Sequence, residues 1–99
     1  MVKVKVKFFG VIRDVTGVPM TEVELEDGAV MTDLLAHLHR KFGQRFYDRV
    51  LDGAHGIRNY IRLFLNDEEI DAATLGTTRL SGGGSPEVVL YVMSAGTGG

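Results

Sequence analysis

The sequence predicts an α+β domain, a mixed sheet with one main helix packed across a single face and a thin C-terminal thread. Three observations predict it. Val2 to Phe8 and Thr21 to Glu26 alternate apolar and charged or polar residues, the period of half-buried strands. A single long segment, Met31 to Phe42, carries apolar residues at helical spacing. The final apolar run, Val88 to Met93, gives way to Ser94-Ala95-Gly96-Thr97-Gly98-Gly99. Residues this small bury too little apolar surface to offset the entropy of ordering them.

In the first strand Val2, Val4, Val6 and Phe8 share one face, and Lys3, Lys5 and Lys7 the other. Gly10 ends it. Val11 to Thr16 is a connection with room for one helical turn, broken by Gly17. In the second strand Thr21, Val23 and Leu25 oppose Glu22, Glu24 and Glu26. If these two strands pair, the Lys and Glu rows meet on the outer face. Asp27-Gly28 is a turn signal. Met31, Leu34, Leu35, Leu38 and Phe42 form the apolar stripe of the helix. Val30 or Thr32 stands near its N-cap, and Asp33 suits the first turn. Arg40 and Lys41 suit the last turn, and Gly43 the position after it.

Residues 44–60 are irregular, although Phe46, Val50 and Leu51 can form a short second helix. Tyr60 to Leu65 is a strand with Ile61, Leu63 and Leu65 on one face and Tyr60, Arg62 and Phe64 on the other. Asn66-Asp67 reads as a tight hairpin turn, since both residues tolerate a positive φ. A short edge strand around Glu69 to Ala72 follows, then a flexible turn at Ser81 to Pro86 and the last strand. The first and last strands are the most apolar, which places them side by side in the centre. That order is the β-grasp, or ubiquitin-like, arrangement. Residues 1–94 make the β-grasp domain and residues 95–99 its flexible tail.

Composition narrows the function. Ninety-nine residues support one small core and no deep internal active site. A net charge of −2 gives no basic field for nucleic acid. The absence of cysteine removes disulfides, thiolate metal sites and a cysteine nucleophile. No apolar run approaches the ~18 residues of a membrane span, and the opening residues do not form a signal peptide. A cytoplasmic protein is expected.

Most chemistry-bearing residues have plain explanations. His37 and His39 lie two apart on the helix and diverge, so they are read as solvent-facing, not as a metal pair. His55 stands alone in a loop. Gly82-Gly83-Gly84 lacks the Lys and hydroxyl residue of a phosphate loop. Asp67-Glu68-Glu69 is a solvated hairpin tip without calcium-loop spacing. Lys3, Lys5 and Lys7 read as a solvated face, or as docking charges for an acidic partner. No metal site is expected.

Several segments resemble the small subunit of molybdopterin synthase. They are Phe8-Phe9-Gly10 with Val11 to Gly17, Val30-Met31-Thr32-Asp33-Leu34-Leu35, Phe64-Leu65-Asn66-Asp67-Glu68-Glu69-Ile70 and Thr78-Arg79-Leu80. The Gly98-Gly99 end is similar too. Because 13 of the 99 residues are Gly, that pair alone is a weak motif; its weight comes from the architecture before it. The chain departs from the family at Gly82 to Pro86, where an Asp-Gly-Asp turn is usual, and at Met93-Ser94-Ala95, where prolines are. It departs again at Asn66-Asp67, where Asn-Gly is frequent.

The resemblance implies a sulfur carrier. An adenylating activating enzyme, using ATP and magnesium, would activate the Gly99 carboxylate. Sulfur would then displace the adenylate to give a thiocarboxylate. The large subunit of molybdopterin synthase, or another sulfur acceptor, would receive the sulfur. The chain would bind no cofactor and would not be an enzyme by itself. Gly98 and Gly99 would enter the partner's slot, where a Cβ would clash, with Thr97 behind them. The relatives leave other readings open: a carrier for thiamine or cysteine synthesis, or a modifier joined through Gly99 to lysines. A β-grasp interaction domain is a further one.

Strand alternation also predicts a docking face. The helix should cover Val4, Val6, Ile61, Leu63, Leu90 and Val92. Phe64, Tyr91 and Met93 then face the uncovered side, where Phe9 at the strand end can join them, with Arg62, Lys5 and Lys7 as a charged rim.

Overall fold

A computed structural model describes residues 2–53 and 56–80 with their side chains, and 88–94 by backbone. The elements follow from local chemistry. β1 spans Val2–Phe8 and buries Val4, Val6 and Phe8, the apolar half of its alternation. The connection after it is a full short helix, α1 (Val11–Thr16), longer than the single turn expected. Its buried Ile12 anchors it to the core. β2 spans Met20–Leu25, with Val23 buried.

α2 spans Met31–Phe42 and buries Met31, Leu34, Leu35 and Leu38. Val30 is the N-cap residue, and its N–H donates to Asp33 Oδ2 at 2.9 Å. Asp33 thus serves the helix start as an acceptor as well as by charge. Gly43, at φ 82°, ends α2 and donates its N–H to the His39 carbonyl at 2.8 Å. That left-handed conformation favours glycine. It turns the chain directly into α3 (Gln44–Val50), so the expected short helix is present.

Leu51 begins a strand instead of ending that helix. β3 (Leu51–Asp52) and β4 (Gly56–Ile57) form a two-stranded ribbon within the stretch read as irregular. β5 spans Ile61–Leu65, one residue shorter than expected. Tyr60 lies in the preceding turn, where its hydroxyl donates to the Arg49 carbonyl at 3.1 Å. Asn66 and Asp67 have φ of 50° and 72°, as the hairpin turn requires. β6 is only Glu68–Glu69, because Asp71 caps a 3-10 turn, Ala72–Thr74, through the Ala73 N–H. β7 spans Val88–Ser94. The expected turn at 81–86 and tail at 95–99 lie outside the described residues.

The main sheet runs β2-β1-β7-β5-β6. β1 and β7 pair in parallel at the centre, and the other pairs are antiparallel. This is the β-grasp arrangement that the element order predicts. The core lies between the sheet and α2, with Val4, Val6, Leu34, Leu38 and Leu63 all at 0% exposure. Phe8 and Phe42 meet edge to face at 5.5 Å, and Phe46 closes the cluster 6.5 Å from Phe8. The segment before residue 81 pins the start of α2. Met31 N–H donates to the Thr78 carbonyl at 2.9 Å, Leu80 N–H to the Ala29 carbonyl at 3.1 Å, and Leu75 and Leu80 are buried.

Candidate functional site: the open sheet face and the end of the central strand

β5 settles which face is covered. Ile61 and Leu63 are buried, whereas Arg62 is exposed and Phe64 half-buried. Leu65 packs against the core, as alternation requires; Phe64 does not join it. β1 behaves in the same way, with Val4 and Val6 buried, Lys3 exposed and Lys5 and Lys7 half-buried. Phe64, Arg62 and the lysines therefore share the face that α2 leaves open.

The register brings the predicted docking positions together in the backbone. Tyr91 stands between Lys7 on one side and Phe64 on the other. Met93 is opposite Arg62, and Ser94 is opposite Ile61. The side chains of Tyr91 and Met93 lie outside the described residues, as do Thr97, Gly98 and Gly99. Arg62 Nε also approaches Glu69 Oε2 at 3.6 Å, both side chains being about half exposed. In water such a pair is worth a few tenths of a kcal/mol, so Arg62 remains available.

Strand alternation offered Phe9 for this surface but missed Met20. Phe9 and Met20, each 42% exposed, stand at the same end of the sheet as the close of β7. They border a groove of about 340 Å³ with Lys7, Phe8, Gly10, Arg13 and Pro19. Met20 had a sequence signal, since it continues the outward row of Glu22 and Glu24.

A second cavity, about 330 Å³, lies on the helical side between α2, α3 and β3. His39 lines it with its ring 5.0 Å from that of Tyr47, whose hydroxyl accepts the Gly53 N–H at 3.2 Å. Both His37 and His39 are half-buried, so the solvent-facing reading is corrected. The spacing on one helix says how two side chains diverge, not what α3 later packs against His39. His55 lies outside the described residues.

No polar or charged residue is fully buried among the described residues, although the Nε atom of Arg58 is. Nor do they contain a group of His, Cys, Asp or Glu able to hold a metal. No helix among them is long and apolar enough to cross a membrane.

Neither a family model nor a curated protein matches the sequence. Solved structures do match the fold. SAMP1 from Haloferax volcanii aligns with a TM-score of 0.79 and 21% identity over 98% of this chain and 99% of its own. The small archaeal modifier protein 1 (SAMP1) from Methanosarcina acetivorans aligns at 0.74 and 22%, over 100% and 98%. A Pyrococcus furiosus protein, provisionally named molybdopterin converting factor subunit 1, aligns at 0.70 and 24%, over 95% and 98%. These small ubiquitin-like proteins share the β-grasp fold of the chain from end to end, consistent with the resemblance seen in the sequence.

Proposed function

We propose that this chain is a ubiquitin-like sulfur carrier whose working group is the Gly99 carboxylate. The observation that carries the reading is the position of β7. It occupies the centre of the sheet between β1 and β5 and ends at Ser94, beside the open face bearing Phe64 and Arg62. Residues 95–99, fully extended, reach at most about 17 Å beyond it. A partner gripping that face would thus have the chain end within range of its own active site. Phe64 and Met93 would anchor that partner, Tyr91 would add an apolar face with a polar tip, and Arg62 would rim the contact. Thr97 would sit in its slot.

The chemistry needs little from the carrier. An α-carboxylate is ionised at neutral pH and a poor acyl donor. The activating enzyme, with ATP and magnesium, would join it to AMP and release pyrophosphate. A sulfide-equivalent sulfur would then attack the acyl carbon, expelling AMP and leaving a thiocarboxylate. Gly98 and Gly99 keep the chain narrow where it threads the partner. The acceptor is most specifically the large subunit of molybdopterin synthase, which the sequence resemblance and the name of the Pyrococcus neighbour favour.

The names of the SAMP1 neighbours favour a second reading, a modifier joined through Gly99 to lysines of other proteins. The intact mass of protein isolated from its own cells separates the two. Replacement of one terminal oxygen by sulfur supports the carrier. Conjugates of higher mass support the modifier. Neither species, in cells making the cofactor, would overturn both.

A further inference from the structure

The outer edge of β2 carries a second interaction surface, which adjoins the open face at Met20 and lies away from β5, β7 and the tail. β2 is the first strand of the sheet, with β1 on one side and no strand on the other among the described residues. Its hydrogen-bonding phase follows from one contact. Phe8 N–H donates to the Pro19 carbonyl at 2.9 Å, next in register after Lys7↔Met20. In an antiparallel ladder bonded pairs alternate. Val6↔Thr21, Val4↔Val23 and Val2↔Leu25 are therefore the bonded pairs. The N–H and C=O groups of Met20, Glu22 and Glu24 must point away from β1, into the open edge.

The same residues carry the outward side chains, and two of them are carboxylates. A second copy of β2 pairing in register would set glutamates against glutamates, so the row works against self-association. It also selects. On its inner side β2 already holds the complementary pattern, because Lys5 faces Glu22 and Lys3 faces Glu24 in the closer, non-bonded pairs. Beside the end of β2 lies a groove of about 390 Å³, with Leu25, Ala29 and Ala36 among its walls. Glu26, Asp27 and Asp33 outnumber Arg40 in its charged lining.

We infer that the β2 edge binds an extended basic peptide, one alternating Lys or Arg with β-branched or other apolar residues, by adding it as a strand. Its backbone would pair with Met20, Glu22 and Glu24. Its basic side chains, two apart, would meet the two glutamates. Its apolar side chains would lie toward α2, beside Val23 and the groove at Leu25. Main-chain bonds would supply affinity, and the charges register and selectivity.

The probe is a synthetic peptide with the sequence of residues 2–8, which carries the required pattern, against one with Glu in place of each Lys. Amide hydrogen exchange is followed in the whole protein at low salt. Slowed exchange at Glu22 and Glu24, with at least tenfold weaker binding of the Glu peptide, is expected. Glu22→Gln with Glu24→Gln should weaken binding several-fold. Glu22→Pro tests the backbone itself. It removes an outward N–H and leaves the β1 ladder intact, a substitution that edge strands accept. It should abolish binding while the melting temperature holds. If Glu22→Pro does not fold, the exchange pattern of the wild type decides alone. Binding without protection at Glu22 and Glu24, equal affinity for both peptides, or dimerisation through this edge without peptide would each overturn the inference. None of these outcomes touches the sulfur-carrier reading, which rests on β5, the end of β7 and the Gly99 carboxylate.

Discussion

Leu63 and Phe64 are adjacent in sequence, so replacing each by Ala tests the division of the sheet into a covered and an open face. Leu63 has 0% exposure and sits under α2. Its truncation leaves a cavity and should cost about 2–5 kcal/mol of stability. A domain of this size has only about 5–15 kcal/mol in total. Phe64 is half-buried and does not pack against the core. It is only partly buried, on the open face, so no core cavity opens and its truncation should cost less than that of Leu63, about 1–2 kcal/mol. Its larger effect should appear in binding, a loss of about 1 kcal/mol or more in affinity for the activating enzyme, or fivefold in Kd. Urea unfolding gives the stabilities and titration calorimetry the affinities. A stability loss above ~2 kcal/mol for Phe64→Ala, with affinity unchanged, would refute the assignment of faces.

Three further outcomes are expected. Deleting Gly99, or adding a residue after it, should abolish formation of the thiocarboxylate in a reconstituted reaction while leaving the melting temperature unchanged; an extended, unprocessed chain that still delivers sulfur would rule out the carrier. Phe46→Ala, at 0% exposure in the Phe8–Phe42 cluster, should cost about 3–5 kcal/mol by denaturant unfolding, since it opens the contact between α3 and the core. Asp67→Gly should stabilise by up to about 1 kcal/mol, because Asp67 has φ 72° and Gly adopts that conformation without a Cβ clash; a loss of stability would mean that the Asp67 side chain supports the turn.

What could be read in the sequence depended on whether one element or several determine the feature. α2 was legible because its stripe, Met31 to Phe42, states the period and the buried face together. The Lys and Glu rows were expected to meet if β1 and β2 pair, and they do, at Lys3↔Glu24 and Lys5↔Glu22. The stretch from Gln44 to Ile57 was poorly legible, because α3, β3 and β4 are each too short for a period to repeat. Tyr60 read as a strand residue because alternation cannot see that its hydroxyl serves Arg49 across a turn. His39 read as solvent-facing for the same reason, with α3 folding back to place Tyr47 against it. The candidate site shows the limit most sharply. Alternation put Phe64, Arg62, Lys5 and Lys7 on one face and the central placing of the first and last strands made them neighbours, but only the registers of β7 with β1 and with β5 set Lys7, Tyr91 and Phe64 in one row. The outward-pointing amides of β2 depend on something finer still, the hydrogen-bonding phase of a ladder. That phase is no independent choice: in a strand of L-residues, the face a side chain takes and the strand's direction fix the side to which that residue's N–H and C=O point. Alternation could say that Glu22 and Glu24 share one face, but only the sheet order says that β1 lies on the side their amides turn away from. Pro19 fits the same phase, since without an N–H it joins the ladder only as the acceptor for Phe8.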